Sequence, residues 1–330
     1  MAGQSGDEGG PLYSVVIPAY NAENTLGACL KALAAQSVPR GRFEIIVVDD
    51  GSGDRTGDIA RIGADLCLRQ DNAGPATARN RGAAATKGAI ILFTDSDCEP
   101  TGDWLMQMTK PFADPEVAGV KGAYLTRQRE LAARFAQAEF ADRYQLLLKS
   151  RYIDMVDTYS AAFRREVFLE ANGFDQGFST ANNEDTELSY RLSAQGFKLV
   201  FNPRALVYHR HPASFAKYLR TKFWRGYWRM VVYRLFPEKA LKDTYTPLVL
   251  KAQTAATALA LALFPLAALW PGLLAAPLLI LAGVLASSLP FAARAFRVDA
   301  AVGLVSPLAI LARSVVFALG SLYGLARSWR

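Results

Sequence analysis

The stretch Phe43-Glu-Ile-Ile-Val-Val-Asp-Asp-Gly-Ser52 runs four β-branched residues into two carboxylates and a Gly-Ser turn, and helical spacing follows over Thr56 to Ile62. β-branched runs favour strands, and Ser52 and Asp54 are good helix caps, so the passage predicts strand, turn, helix. The same pattern recurs on both sides. Strands are expected at Ser14 to Ile17, Ala89 to Phe93 and Val117 to Val120, and helices at Thr25 to Ala35 and Pro75 to Ala85. Such a βαβ series builds an α/β domain whose mostly parallel sheet is covered by helices on both faces. Its ligands bind beyond the C-terminal strand ends. The residues expected there are Pro18, Ala19, Tyr20 and Asn21, then Asp49 and Asp50, then Asp95 and Asp97.

Asp95 and Asp97 lie one residue apart directly after an apolar strand, on one side of an extended chain. Hard oxygen donors of this kind suit Mg²⁺ or Mn²⁺, which bind through one or two carboxylates together with substrate phosphates. Asp50 can accept hydrogen bonds from a nucleobase or ribose. Asn72 to Arg81 opens a helix whose start suits a nearby anion, and Arg79 either reaches a nucleotide or pairs with an acid. Glu184 and Asp185 begin a further helix, where the dipole favours carboxylates and where one of them is placed to take a proton as general base. The two histidines, His209 and His211, both fall in Val207-Tyr-His-Arg-His-Pro212; His209 is the candidate nitrogen ligand for a metal.

The chain has 330 residues, 51% apolar and 20% charged, with a net charge of +7. Its three cysteines, Cys29, Cys67 and Cys98, show no CxxC spacing, which argues against a zinc site or a disulfide framework. Residues 198 to 234 carry nine Lys or Arg and no acid. Ala252 to Ala293 is then free of charge, broken only by Trp270-Pro-Gly272. A bilayer core needs about 20 helical residues, so two spans are expected, at about 252–270 and 273–293. Lys251, Arg294 and Arg297 flank them, and the positive-inside rule puts both ends in the cytoplasm. Ala300 to Ala326 is apolar but carries Arg313, so an interfacial or re-entrant segment is expected. The basic, aromatic stretch 214–245 leads straight into these spans and reads as an interfacial helix on membrane lipids, with no nucleic-acid role. Residues 1–12 read as a polar disordered tail without signal-peptide character. Residues 13–124 form the nucleotide half and 125–213 the acceptor half.

Taken together, VVIPAYN (15–21), VVDDGS (47–52), NAGPATARNRG (72–82), TDSD (94–97), Glu184-Asp185, and VYHRHP (207–212) followed by Arg225-Gly226 resemble glycosyltransferase family 2, in that family's order, over about Tyr13 to Tyr227. The resemblance implies a GT-A fold, a UDP- or GDP-sugar donor and inversion by single displacement. It implies that Asp50 contacts the base, Asp95 and Asp97 serve ribose and metal, Asp185 is the base, His209 approaches metal or diphosphate, and Pro18 to Tyr20 line the nucleotide pocket. Processive members carry QxxRW; here the region reads YLRTKFWRG (218–226), so transfer of a single sugar is expected. The expected acceptor is a lipid-linked or cell-surface glycan at the cytoplasmic face of the inner membrane. The alternatives are a polyprenyl-phosphate glycosyltransferase and a non-catalytic sugar-nucleotide-binding membrane protein. A dinucleotide oxidoreductase is disfavoured, because no GxGxxG follows the first strand.

Overall fold

The computed structural model of the chain describes residues 12–178 and 183–327; the expected tail, apart from Leu12, and the loop tip at 179–182 lie outside the described residues. Along the chain run β1 (Tyr13–Ala19), α1 (Leu26–Ala34), β2 (Phe43–Asp49), α2 (Thr56–Gly63), β3 (Leu66–Arg69), α3 (Pro75–Ala84), β4 (Ile90–Phe93), β5 (Glu99–Pro100), α4 (Trp104–Thr109), β6 (Val117–Leu125) and α5 (Leu131–Leu147). There follow β7 (Ala161–Arg164), α6 (Arg165–Glu170), α7 (Glu184–Ala194), β8 (Lys198–Tyr208), α8 (Phe215–Leu235), α9 (Pro237–Leu241), α10 (Leu248–Leu269), α11 (Ala275–Ser287), α12 (Leu289–Val298) and α13 (Ala300–Ala326). They form two compact units: Met1–Leu125 with Tyr152–His209, and Thr126–Arg151 with Arg210–Arg330. The division falls elsewhere than the expected 124/125 and 213/214 boundaries, because α5 groups with the C-terminal helices.

The first unit is built on one sheet in the order β3-β2-β1-β4-β7-β6-β8-β5. β3, β2, β1 and β4 are mutually parallel, as the apolar runs predict. β7 then runs antiparallel between β4 and β6, and β6 pairs parallel with β8. Val15, Val16, Ile46, Val47, Val48, Ile91, Leu92 and Phe93 are buried on the central strands, and this two-sided burial is why these strands read as continuous apolar runs. Helix α3 shows the matching feature in its small residues. A Cβ on Gly82 would strike Val16 and Val48, so only a glycine lets this helix lie so close to β1 and β2.

In the second unit, α5, α8 and α13 share a core that includes Phe135, Tyr218, Val302 and Ile310. A Cβ on Gly320 would meet the Phe223 carbonyl, and one on Gly324 would stand 2.7 Å from that of Tyr227, so α13 lies backbone to backbone along α8. Glu139 of α5 is buried among cations. Lys222 Nζ donates to its Oε2 at 2.7 Å, Arg313 Nη1 to its Oε1 at 2.5 Å, and Tyr218 Oη to Oε2 at 2.7 Å. Burial favours the neutral acid, but the charges of Lys222, Arg313 and Arg143 prevail and hold this carboxyl well below the usual range. Arg313, expected to be costly in an apolar segment, is thus neutralised by Glu139 and also donates to Gln253 at 2.6 Å.

Three helical stretches, Leu248–Leu269, Pro271–Val298 and Ala300–Ala326, are long and apolar enough to cross a membrane by length and composition. The first two are 22% and 17% buried over their most apolar windows and the third 44%, so the first two present far more apolar surface outward. The third is one continuous 27-residue helix, without the break that a re-entrant segment needs.

Candidate active site

The strand ends of the first unit carry the acids in the positions their sequence suggests. Asp49, fully buried, accepts from the Ser52 N–H and from Arg69 Nη1, both at 2.9 Å, and so clamps the end of β2 to β3. Asp50 accepts from Gln70 Nε2 at 2.7 Å and from the Ala73 and Gly74 N–H groups at 2.9 Å. A carboxylate offers about four lone-pair sites, so roughly one remains for a ligand. Gly74 has φ +90°, a conformation that favours glycine, and Pro75 follows at the first helical position; Asp50 therefore fixes how the chain enters α3.

Helix α3 delivers Arg79, which is 2% exposed. Its Nη1 donates to Glu184 Oε1 at 2.8 Å and its Nη2 to Asp95 Oδ1 at 2.7 Å. One guanidinium thereby joins the end of β4 to the start of α7. Of the two partners the sequence left open for Arg79, the structure provides acids. Glu184 is also 2% exposed, and its Oε2 makes no hydrogen bond among the described residues. Burial, reinforced by the neighbouring Asp185 charge, pushes Glu184 up to about 7 against the pull of Arg79. Asp185 is more open and accepts from the Thr186 N–H at 2.7 Å. Asn183, in the left-handed region at φ 65°, sets the turn into this helix.

Asp97 and His209 come together at the ends of β4 and β8, with Nε2 and Oδ2 3.8 Å apart. That is long for a hydrogen bond but within reach of one shared ion, since ligand distances of ~2.1 Å allow donors up to ~4 Å apart. Cys98 completes the cluster, all ligand atoms lying within 4.8 Å of one another. Its thiol is soft, and burial raises it well above its usual range, so Mg²⁺ or Mn²⁺ is better matched by the carboxylate and imidazole. Asp95, expected beside Asp97 in the metal set, is not part of this cluster and takes Arg79 instead. His211 belongs to the second unit, where its ring stacks on Phe140 and meets Gln137 at 2.9 Å.

At the end of β1, Pro18 and Ala19 are buried while the Tyr20 ring is 53% exposed. Asn21 donates its N–H to Ser52 Oγ and accepts from the Gly53 N–H, both at 3.0 Å. Ser52 thus holds the β1 loop rather than capping α2, and Asp54 bonds the Thr56 N–H at 3.0 Å. Sequence reading missed one group altogether. Lys121, in the middle of β6 and fully buried, pairs with Asp157 and donates to Tyr159 Oη at 2.9 Å; Tyr159 stacks on Tyr124, whose ring lies 4.6 Å from that of His209. A lysine inside the apolar run Val117-Ala-Gly-Val-Lys-Gly-Ala-Tyr124 was the available signal, since a buried charge requires a partner.

A parallel-dominated sheet with an acidic cluster at its strand ends and a short antiparallel extension defines the GT-A class of fold. Residues 14–170 match the family model "Glycosyl transferase family 2". It is 38% identical over 101 residues to glycosyltransferase AglE of Haloferax volcanii, covering 29% of this chain and 33% of that protein. To the probable glycosyltransferase YdaM of Bacillus subtilis it is 29% identical over 235 residues, 66% of this chain and 53% of the relative. The chain therefore spans from a third to about half the length of these curated relatives. A mannosyltransferase from Pyrobaculum calidifontis, solved with GDP-Man and Mn²⁺, shares the fold at a TM-score of 0.60 and 22% identity, over 96% of this chain and 88% of that one.

Proposed function

We propose that the chain is an inverting, metal-dependent glycosyltransferase that moves one sugar from a nucleotide-sugar donor onto a lipid-linked or cell-surface glycan acceptor at the cytoplasmic face of the inner membrane. The observation that carries this reading is the Arg79 bridge, which joins a strand-end acid to the acidic start of α7 within a family 2 domain. Asp50 retains room for a base or ribose contact, and the exposed Tyr20 ring offers a flat face to the nucleotide. Mg²⁺ or Mn²⁺ held by Asp97 and His209 would offset the charge that develops on the leaving diphosphate. Asp185 accepts the proton of the acceptor hydroxyl as that oxygen bonds to the anomeric carbon and the bond to the diphosphate breaks. Glu184, buried and tied to Arg79, is the less accessible of the two acids and holds the start of the helix in place.

The exposed apolar surface of α10 and α11, with Leu259, Leu269, Leu278 and Leu279 largely uncovered, supports a spanning hairpin. Helix α13 lies along α8, which carries Lys217, Arg220, Lys222, Arg225, Arg229 and Arg234. A helix that charged resides in the headgroup layer, so its close partner α13 lies there too. The test is a screen of detergent-solubilised protein against UDP- and GDP-sugars, starting with GDP-mannose because the structural neighbour binds it. Release of nucleoside diphosphate is followed with Mn²⁺ or EDTA. Metal-dependent release from one donor supports the reading; silence with every donor, together with no nucleotide binding, refutes it.

A further inference from the structure

The second unit carries a half-open cavity of about 230 Å³ lined by residues from α5, the start of α10, the junction of α11 with α12, and α13. It is smaller than the ~300–1,000 Å³ of sites that hold whole small ligands, a size suited to a headgroup. Its charges are unevenly matched. Glu139 is paired by Lys222 and Arg313, and Asp142 accepts from Arg294 at 2.6 and 3.1 Å. Arg143, 9% exposed, feels the Glu139 charge but makes no direct ion pair among the described residues. Its single hydrogen bond runs from Nη1 to Tyr245 Oη at 3.3 Å, and its guanidinium otherwise rests against the Tyr245 and Phe140 rings at 5.1 and 5.4 Å. A guanidinium carries five donors, and the two Glu139 oxygens are already taken by Lys222 and Arg313, so Arg143 keeps donors to offer an anion in the cavity. Leu250, Phe291 and Ile310 contribute apolar lining.

We propose that this cavity is the headgroup site of a lipid phosphate, with the phosphate accepting from Arg143 and the start of the acyl or prenyl chain lying along Leu250 and Phe291. The inference rests on the membrane reading given above. Leu248 begins α10 and Ser287 ends α11, so the cavity sits at the end of the hairpin flanked by Lys251, Arg294 and Arg297, the end assigned to the cytoplasmic headgroup layer. The planar fork of arginine suits a phosphate with two parallel bonds. A bilayer phospholipid and a polyprenyl phosphate share this chemistry.

The full chain, delipidated in a phosphate-free maltoside detergent, is unfolded thermally alone, with phosphatidylglycerol, with a polyprenyl monophosphate, or with inorganic phosphate in the buffer. A ligand held by the native state raises the melting temperature with concentration. The proposal expects a rise with at least one lipid phosphate, the responding lipid naming the source, and loss of most of that rise in Arg143→Gln. A cooperative melting transition of the lipid-free variant, at the midpoint of the lipid-free native chain, checks that it is folded. Should it not be, Arg143→Lys keeps the charge without the fork and should weaken the lipid roughly tenfold, the scale of one charge-assisted hydrogen bond. An equal rise in the variant, no rise with either lipid, or an equal rise with inorganic phosphate overturns the proposal. Donor turnover does not enter this readout, so failure of the transferase reading is scored separately.

Discussion

Replacing Arg79 with Met removes the guanidinium shared by Glu184 and Asp95 and leaves a carboxyl that is 2% exposed without its counter-charge. Breaking a buried ion pair ordinarily costs ~3–5 kcal/mol. Glu184 makes this case different. Keeping a group of ordinary pKa ~4.3 neutral at about pH 7 costs ~3–4 kcal/mol, and a Glu184 that titrates at about 7 already bears nearly all of that in the native protein. Removing Arg79 therefore adds under ~1 kcal/mol through Glu184 at neutral pH, and the partly exposed Asp95 pair adds ~0–1 kcal/mol more. The sign then follows from linkage. A folded-state pKa raised above the unfolded value gives stability that is present in acid and lost as pH rises through the folded pKa; loss of Arg79 raises that pKa further and prolongs the decline. The deficit of Arg79→Met against the native chain should thus be small at about pH 6 and grow by ~1.4 kcal/mol per pH unit above about 7. Urea unfolding of the detergent-solubilised chain, followed by tryptophan fluorescence across this range, measures it. A deficit of several kcal/mol already present at about pH 6 and unchanged with pH would show Glu184 ionised and refute the reasoning.

Asp185→Asn should abolish sugar transfer while leaving donor affinity, read by nucleotide-sugar titration, nearly unchanged; loss of both together would remove Asp185 from the role of base. Asp97→Asn should weaken donor binding in the presence of Mn²⁺ and leave the weaker metal-free binding as it was, and an unaltered response to Mn²⁺ would count against the shared site with His209. Gly320→Ala places a methyl group against the Phe223 carbonyl, and the forced separation of α8 from α13 should cost ~1–3 kcal/mol, visible as a lower melting temperature in detergent with donor binding retained.

The parallel half of the sheet is readable because its strands are buried on both faces: β1, β2, β4 and β6 each show as an apolar run followed by a turn or a helix. β3 was not readable, since Leu66 to Arg69 is a half-exposed edge with only two leucines to mark it. β7 was missed for another reason. Ala161-Ala-Phe-Arg164 has little β-branched character and becomes a strand by filling the space between β4 and β6, a tertiary effect that overrides local propensity. Within the site, Asp49, Asp50, Asp95 and Asp97 were legible because they follow apolar strands, and Glu184 and Asp185 because they open a helix. The link from Arg79 to Glu184 spans 105 residues of sequence, and the run Lys121, Tyr159, Tyr124, His209 joins three separate elements, so neither leaves any periodicity to detect. Helix α5 falls within 125–213, a stretch grouped by its place in the chain; Glu139, whose partners Lys222 and Arg313 lie 83 and 174 residues further on, decides where the helix belongs.

That arrangement has a consequence for how the protein is made. Helix α5 leaves the ribosome before Lys222, and longer still before Arg313, so its buried carboxylate waits unmatched through the synthesis of β7 and β8 and gains its second cation only after the whole hairpin. A chain released before residue 313 therefore has α8 for α5 to pack on but lacks Arg313, Val302 and Ile310, and the core they share stays incomplete until the last helix has been translated.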